Sequence, residues 1–169
     1  MSLNYIDICS GISAPTMAWK PLGWRARCFA EIDAAPRAVL AHHYPDVPLV
    51  GDFTEIEGSE YGPVDLVVGG TPCQDFSVAG LRAGLGGERG NLTLQFGRLS
   101  RRARARWFVW ENVPGVFSSN AGRDFGAVLA SFAGYPAGTV FAPPSRRLAK
   151  FWHRCPCRAR LSRACLASA

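Results

Sequence analysis

A single cysteine, Cys73, directly follows an apolar run and a glycine-rich turn near the middle of the chain. The run at residues 65–68 predicts a buried strand, and residues 69–72 (Gly-Gly-Thr-Pro) predict the turn at its end. Open α/β sheets bind their ligands at the carboxyl ends of their strands. A thiol also has appreciable anion near neutral pH. The pattern therefore predicts a nucleophile at Cys73, although a buried structural cysteine is the alternative.

Three carboxylates follow other predicted strands in the same way. Glu31 follows the apolar segment 25–30 and lies about 20 residues after Gly11, a spacing at which an acidic residue accepts hydrogen bonds from ribose hydroxyls. A surface carboxylate is the simpler alternative for Glu31. Asp52 follows a short strand at 47–50, and Glu111 follows a fully apolar strand at 107–110 that we expect to be buried. These acids favour a ligand site at one edge of a sheet.

The elements that position these residues alternate along the chain. Further patterns predict a strand at 5–9 and the helices 13–22, 34–43 and 91–102. Strict alternation of this kind is typical of the α/β class with a doubly wound, mostly parallel sheet. The turn at residues 10–13 contains one glycine, so its signal for a nucleotide-type ligand is weak alone. The glycine-rich segment 77–90 is typical of a mobile loop over a site.

Composition and length restrict the class of protein. The 169 residues are 48% hydrophobic, which suits one globular domain. No apolar run is long enough to span a bilayer, and residues 1–5 lack the features of a signal peptide, so we expect a cytoplasmic protein with no membrane partner. The six cysteines are then expected to be free thiols. His42 and His43 are expected to interact with a helix dipole, and no metal site is predicted.

The positive charge is concentrated near the end of the chain. The net charge is +6, yet residues 1–144 carry −1, and seven Lys and Arg residues follow them without any acidic residue. A smaller basic cluster lies at residues 98–106. This cluster could contact phosphates, or it could be the solvated face of a helix, and the sequence leaves both readings open.

Six short motifs resemble, in order, the first six motifs of the DNA (cytosine-5)-methyltransferases of bacteria and phages. They are Ile-Asp-Ile-Cys-Ser-Gly at 6–11, Phe-Ala-Glu-Ile-Asp at 29–33, Gly-Asp-Phe-Thr at 51–54, Gly-Thr-Pro-Cys-Gln-Asp-Phe-Ser at 70–77, Arg-Gly-Asn-Leu at 89–92 and Glu-Asn-Val at 111–113. Pro-Cys-Gln followed by Phe-Ser and a downstream Glu-Asn-Val is a highly specific combination. The resemblance implies a Rossmann-like methyltransferase fold that is truncated relative to the family.

The resemblance also implies a cofactor, S-adenosyl-L-methionine, and a set of residues that bind it. The implied set is Cys9, Ser10, Gly11, Ile12, Ser13, Glu31, Ile32, Asp52, Phe53, Pro72 and Leu92. Within this set the resemblance assigns Glu31 to the ribose, Ile32 to the adenine face, and Asp52 with Phe53 to the adenine edge. Two positions depart from the family: Cys9 replaces the usual phenylalanine, and Ser13 replaces a second glycine.

The implied reaction is methylation of cytosine in double-stranded DNA. Cys73 adds to C6 of a cytosine that has been flipped out of the duplex, and Glu111 stabilises the ring protonated at N3. C5 then becomes nucleophilic enough to accept the methyl group, which is why covalent catalysis is needed. The residues implied to contact the DNA are Gln74, Ser77, Arg89, Asn112 and Val113.

The last part of the chain does not follow the family. We expect a catalytic core at 1–131 and a basic, irregular tail at 132–169, because hydrophobic periodicity stops there and the family's later motifs and target-recognition region are absent. We interpret the tail as a truncated or frameshifted reading of a GC-rich gene, which translation of the other frames would test. A crowded zinc site at residues 153–165 and a basic arm on DNA are less favoured alternatives than disorder.

Two functions therefore follow from the sequence. The first is an enzyme that methylates cytosine at C5, with a second polypeptide as a candidate source of the missing half. The second is an inactive remnant that binds S-adenosylmethionine or DNA without turnover.

Overall fold

The computed structural model describes residues 2–72, 88–135 and 139, with backbone alone for residues 88–91. Within these residues, five strands alternate with four α-helices. In chain order they are β1 (Asn4–Ile8), α1 (Ala14–Trp19), β2 (Arg25–Ala30), α2 (Ala34–His43), β3 (Leu49–Val50), β4 (Leu66–Gly70), α3 (Glu88–Arg102), β5 (Trp107–Glu111) and α4 (Arg123–Phe132).

The five strands form one parallel sheet in the order β3-β2-β1-β4-β5. The chain runs outward from β1 through β2 to β3, and then returns to place β4 on the other side of β1. The order in which strands are added to the sheet therefore reverses between β1 and β4, and doubly wound folds have their ligand crevice at such a reversal. The predicted doubly wound α/β class is confirmed.

Side chains alternate between two apolar layers because successive residues of a strand point to opposite faces. One layer contains Ile6, Ile8 and Val67 against α3, whose Phe96 packs on Phe132 of α4 with ring centroids 5.4 Å apart. The opposite layer contains Tyr5, Leu66 and Val68 with Trp19 of α1. Phe29 extends this second layer towards Tyr44 at the end of α2. Helices thus cover both faces, although not along the whole sheet.

Two elements are shorter than the sequence predicted, in both cases because of proline. β3 was expected at 47–50 but pairs only through Leu49 and Val50, since Pro48 has no N–H to donate to the ladder. The helix expected at 13–22 ends at Trp19 and continues as a 3₁₀ turn around Pro21. β2 and α2 match their predicted bounds.

The expectation that β5 is a buried strand is wrong. Phe108 and Trp110 pack on Phe132, with ring centroids 4.7 and 5.6 Å apart, so one face of the strand is covered. Val109 points to the other face and is 40% exposed. β5 is an edge strand of the described sheet, and α1 and α2 lie over the opposite half. An apolar sequence alone could not distinguish burial on one face from burial on both.

Two glycines extend β4 beyond the predicted 65–68. A Cβ atom at Gly69 would lie 2.5 Å from Ile8 Cγ1, so a hydrogen side chain is required where β4 passes β1. Gly70 completes the strand and pairs with Glu111. These glycines belong to the strand, and the turn begins at Thr71.

α4 ends in a left-handed cap. Gly134 has φ +82°, and the amide of Tyr135 donates to the carbonyl of Ala130 at 3.0 Å, as in a Schellman motif. The described core therefore continues to Tyr135, close to the boundary predicted at 131. Of the loop predicted at 77–90, residues 77–87 lie outside the described residues, as does the tail beyond 139. Residues 88–90 belong to α3 instead, so the helix begins three residues before the predicted 91. In the described part of the chain, no helix combines the length and apolarity that crossing a membrane requires.

Candidate functional site

A cavity of about 290 Å³ opens at the carboxyl ends of the strands, beside the point between β1 and β4 where the strand order reverses. Residues that follow β1, β2, β3 and β4 line it, together with one residue of α3. The lining residues are Cys9, Ala30, Glu31, Ile32, Asp33, Gly51, Asp52, Phe53, Pro72 and Leu92. Seven of the eleven predicted cofactor residues lie in this wall; Ala30, Asp33 and Gly51 were not predicted, although they stand inside the same motifs.

Glu31 is the best-fixed acid of the cavity. One carboxylate oxygen accepts the N–H of Gly11 at 2.7 Å, and the other accepts the N–H of Asp33 at 2.9 Å. The residue is only 8% exposed. A carboxylate has about four lone-pair sites, so each oxygen retains acceptor capacity for a ligand. Glu31 is therefore held rigidly by two loops and can still accept hydroxyl hydrogen bonds.

Asp52 and Phe53, which follow β3, form another part of the cavity wall. One oxygen of Asp52 caps a 3₁₀ turn by accepting the N–H of Thr54 at 2.8 Å, which orients the carboxylate. Phe53 is buried next to it, whereas Ile32 is 74% exposed. An exposed aliphatic side chain and a fixed polar group on facing loops suit a flat, partly apolar ligand such as a nucleobase.

The structure does not bring the side chains of residues 10–13 to the cavity wall. Ser10 turns inward and donates to the carbonyl of Asp7 at 2.7 Å. Ser13 is fully buried, and its hydroxyl donates to Asp7 Oδ2 at 2.6 Å. Ile12 is exposed, and the amide of Gly11 is used by Glu31. Ser10 and Ser13 therefore fix the loop that follows β1, and Gly11 orients Glu31 in the cavity wall.

Ser13 adopts a left-handed conformation, with φ 59° and ψ 63°. Glycine adopts this region at little cost, and other residues do so rarely. This explains why the related family usually has glycine at this position. In this chain, the hydrogen bond from Ser13 to Asp7 compensates for the unfavourable backbone, and Thr16 Oγ1 lies 2.6 Å from the same hydroxyl.

Asp7 is a buried carboxyl group beneath the cavity loop. Its pKa is raised to about 7, mainly by burial and to a smaller extent by the negative charge of Glu31, while the hydrogen bond from Ser13 offsets part of the rise. Asp7 therefore changes charge near neutral pH. Sequence reasoning did not identify it, because an aspartate within an apolar strand gives no indication of its partners.

The two described cysteines are free thiols that remain protonated. Burial, together with the negative charges of Glu31, Asp7 and Asp52, raises the pKa of Cys9 to about 12. Burial also raises the pKa of Cys28 to about 11. Cys9 therefore contributes a small, neutral surface to the cavity rather than a nucleophile.

Glu111 lies against the end of the neighbouring strand. Gly70 is paired with Glu111, and a Cβ atom at Gly70 would lie 2.9 Å from Glu111 Oε2. The Glu111 carboxylate thus occupies space that is free only because residue 70 is glycine. Gly70 lies three residues before Cys73 in the sequence. Pro72 lines the cavity between them. Glu31, Asp52 and Glu111 all lie at the predicted edge of the sheet, whereas Cys73 itself lies outside the described residues.

Thr71 connects the end of β4 to α3 and β5 through its hydroxyl group. The indole N–H of Trp110 donates to Thr71 Oγ1 at 2.9 Å, and Thr93 Oγ1 lies 2.9 Å away. An indole nitrogen can only donate, so the Thr71 hydroxyl accepts from Trp110, while either of the two hydroxyl groups can donate in the contact with Thr93. Asn112 Nδ2 adds a bond to the Thr71 carbonyl at 3.1 Å. The residue that begins the predicted nucleophile turn is thereby fixed on three sides.

Replacing Thr71 with valine is expected to lower the free energy of unfolding by about 2 kcal/mol, because the Trp110 N–H loses its buried acceptor. Valine has nearly the same shape as threonine, so little packing is lost. Thr71→Ser keeps the hydroxyl group and serves as the matched control. Urea denaturation of the three proteins measures the effect. Equal stability of the valine and serine variants would contradict the assigned hydrogen bonds.

The residues predicted to contact DNA divide into two groups. Asn112 uses its nitrogen on Thr71 and its Oδ1 on the amide of Val113 at 2.9 Å, so its side chain shapes the turn after Glu111. Val113 is half-buried in the same turn. Gln74 and Ser77 lie outside the described residues, as does the side chain of Arg89.

The basic cluster at residues 98–106 does not lie at the edge that holds the cavity. α3 runs antiparallel to the strands, and its last turn ends beside the start of β5. Arg101 donates to the carbonyl of Ser131, and Arg102 donates to the carbonyl of Ile56 at 2.8 Å. Arg101 therefore joins α3 to α4, and Arg102 joins α3 to the segment at Ile56. Both residues are exposed, which favours the solvated helix face over phosphate binding at the site.

Comparison with solved structures agrees with this geometry. A protein described as a DNA modification methyltransferase encoded within an E. coli prophage superposes with a TM-score of 0.64 at 25% identity, over 79% of this chain and 38% of that one. The DNMT2 protein of Spodoptera frugiperda, in a variant form, gives 0.58 at 22% identity over 78% and 41%, a likeness in fold. The sheet and its crevice define the Rossmann-like class of S-adenosylmethionine-dependent methyltransferases.

The chain belongs to the family of C-5 cytosine-specific DNA methylases, whose profile matches residues 3–136. Similar proteins include the type II methyltransferase M.AquIA of Picosynechococcus sp., 34% identical over 76% of this chain and 56% of that protein. Another is a protein of Escherichia phage P1 named as a DNA N-6-adenine-methyltransferase, 47% identical over 85% of this chain and 20% of that protein. The chain thus spans between a fifth and about half of these two relatives.

The cofactor of this family is S-adenosyl-L-methionine, and the cavity fits it. Three carboxylates, Glu31, Asp33 and Asp52, line the cavity, and no lysine or arginine appears among its described lining residues. Such a wall suits a ligand with a cationic sulfonium and an ammonium group. Glu31 offers acceptors for vicinal hydroxyls, and Ile32 with Phe53 offers apolar surface for a ring.

Proposed function

We propose that this chain is the catalytic part of a DNA (cytosine-5)-methyltransferase. The observation that carries the proposal is the position of Glu111 against Gly70, at the end of the strand that leads through Pro72, a residue of the cofactor cavity, to Cys73. A carboxylate, a cofactor cavity and a thiol-bearing turn then meet at adjacent strand ends. The proposed core extends over residues 1–131, followed by the tail at 132–169.

In this mechanism, S-adenosylmethionine supplies an electrophilic methyl group at the cavity. The Cys73 thiolate adds to C6 of a flipped-out cytosine, and Glu111 holds the proton at N3 that the addition requires. The addition of Cys73 would make C5 nucleophilic enough to accept the methyl group that the cofactor would supply. Loss of the C5 proton expels the Cys73 thiolate and restores the aromatic ring. Gln74, Ser77, Arg89, Asn112 and Val113 are the proposed neighbours of the DNA.

The chemistry of the residues supports cytosine rather than adenine as the target. The exocyclic amine of adenine can take a methyl group without a covalent intermediate, whereas C5 of cytosine needs a thiol addition at C6 first. The Pro-Cys-Gln sequence at 72–74 supplies that thiol. The adenine name belongs to a phage relative of which this chain covers one fifth. A cytoplasmic location is part of the proposal.

We also propose that a second polypeptide completes the enzyme. β5 is an edge strand of the described sheet. Val109 is exposed on the face that α1 and α2 cover elsewhere, at the half of the sheet that no described helix covers on that side. An uncovered apolar face beside an open strand edge suits the addition of further strands and helices. The chain alone is expected to show no measurable turnover.

Calorimetry and covalent trapping test the proposal together. S-adenosyl-L-homocysteine is first titrated into the purified chain. The chain is then incubated with S-adenosylmethionine and a duplex in which every cytosine is 5-fluorocytosine, so that the target sequence need not be known. Addition of the rest of the E. coli prophage protein, outside its covered 38%, supplies a candidate second half. The expected product with both halves is an adduct that maps to Cys73.

The controls separate the alternatives. Cys73→Ser should bind the cofactor and form no adduct, and Val109→Arg should bind the cofactor but not respond to the second half. Cofactor binding without an adduct under either condition would favour the other candidate function, an inactive remnant that binds S-adenosylmethionine. Absence of cofactor binding by the wild-type chain would contradict both functions.

A further inference from the structure

Arg37 lies behind the cofactor cavity and joins two of its walls. It belongs to the second turn of α2, and its Nη1 atom donates to two backbone carbonyls. The first is the carbonyl of Glu31 at 2.7 Å, and the second is the carbonyl of Val50 at 2.5 Å. One guanidinium nitrogen thus bridges the carboxyl ends of β2 and β3.

These two strand ends lead directly to residues that line the cavity. Glu31 itself is the acid held by Gly11 and Asp33, and Val50 is followed within three residues by Asp52 and Phe53. The Cβ position at Gly51 lies 3.9 Å from Arg37 Nη1, so the guanidinium group lies beside the connecting residue as well.

The strand that precedes Asp52, β3, is paired with β2 over a short length. β3 pairs with β2 through two residues, Leu49 and Val50, and Pro48 cannot donate to the ladder. Hydrogen bonds from a charged donor are stronger than bonds between neutral groups. Arg37 therefore reinforces the backbone bonds that join the two strands at this end, such as the bond from the Glu31 N–H to the Val50 carbonyl at 3.1 Å.

Both acceptors of Arg37 are backbone carbonyls. The bonds fix the main chain and leave the carboxylates of Glu31 and Asp52 available to a ligand. Arginine suits this role because its guanidinium group is planar and always charged.

We propose that Arg37 is a positioning residue that sets the spacing between the ribose side and the adenine side of the cofactor cavity. The inference rests on the proposed roles of Glu31 and Asp52. A ligand that contacts both sides at once needs the two carbonyls to be held at a fixed separation. Arg37 acts through the backbone and does not contact the ligand.

The test compares Arg37→Met with a matched control, Arg102→Met. Arg102 also donates to a loop carbonyl, that of Ile56 at 2.8 Å, and neither residue is among those that line the cavity. Calorimetry with S-adenosyl-L-homocysteine is expected to show at least about tenfold weaker binding for Arg37→Met, the loss of one charged hydrogen bond. Arg102→Met should bind like the wild type, and Arg37→Lys should recover part of the affinity.

A double variant distinguishes positioning from general destabilisation. If Arg37 acts through the Asp52 wall, Arg37→Met combined with Asp52→Ala loses less affinity than the product of the two separate losses. If Arg37→Met does not fold by circular dichroism, Arg37→Gln replaces it with the same criteria. Any one of three results would overturn the inference about Arg37 and leave the proposed function standing. They are wild-type affinity in the Arg37 variant, an equal loss of affinity in the Arg102 variant, and independent losses in the double variant. Failure of the wild-type chain to bind would instead overturn the proposed function with it.

Discussion

Replacing Glu31 with alanine is expected to weaken binding of S-adenosyl-L-homocysteine by at least about 100-fold, because two backbone N–H groups lose a charged acceptor. Gly11 and Asp33 both donate to this carboxylate, so the substitution loosens two loops as well as removing the proposed ribose contact. Isothermal titration calorimetry at fixed pH and salt measures the change. The melting temperature is expected to fall in parallel.

The control for this prediction is Asp33→Ala. Asp33 also lines the cavity and carries the same charge, but its side chain makes no capping bond to the start of α2. Its removal tests whether negative charge alone explains the effect. If the Asp33 and Glu31 variants lose affinity equally, the specific role given to Glu31 is wrong. Glu31→Gln should recover little, because its amide nitrogen would face one of the two N–H donors.

A second large effect is expected from pH acting on Asp7. Its folded pKa, about 7, lies well above that of an unfolded aspartate, so the folded state binds the proton more tightly. The resulting stabilisation is fully present below the unfolded pKa of about 4 and is lost as the pH rises through 7. The free energy of unfolding should therefore fall by about 4 kcal/mol between these limits. Urea denaturation at a series of pH values measures the slope.

Asp7→Asn places a permanently neutral group in the same position. Its amide oxygen can still accept the hydrogen bond from Ser13, so the variant mimics the protonated acid. The fall in stability between pH 4 and 7 should largely disappear in this variant. Asp46→Asn, which changes an exposed carboxylate, should retain the wild-type slope. A wild-type slope in the Asp7 variant would contradict the titration of this buried group.

The fold could be predicted from the sequence where local patterns were complete. β2 and α2 match their predicted bounds because an apolar segment, an acidic break and a helical period follow one another without proline in a strand. The carboxylates at 31, 52 and 111 were placed correctly at one edge, since that position follows from parallel topology alone. The bounds of β3 and α1 failed at Pro48 and Pro21, whose missing N–H groups end regular pairing.

Contacts between distant residues explain what the sequence could not show. The Thr71 hydroxyl meets Thr93 and Trp110, which are 22 and 39 residues away, and no periodic pattern identifies threonines that will be buried together. Arg37 looked like an ordinary residue of a surface helix, because its role depends on the backbone of two strand ends. The half-exposed state of β5 likewise depends on which helices cover each face, a property of the assembled sheet.

The protonated state of Cys9 and Cys28 has a practical consequence for chemical labelling. With pKa values of about 12 and 11, both thiols are almost entirely unreactive towards maleimides and iodoacetamide near neutral pH. The other cysteines of the six, Cys73 among them, then carry the labelling of the native chain. Labelling near neutral pH is therefore expected to leave Cys9, a residue of the cavity wall, unmodified. A label on Cys73, the proposed nucleophile, is expected to block its addition to cytosine.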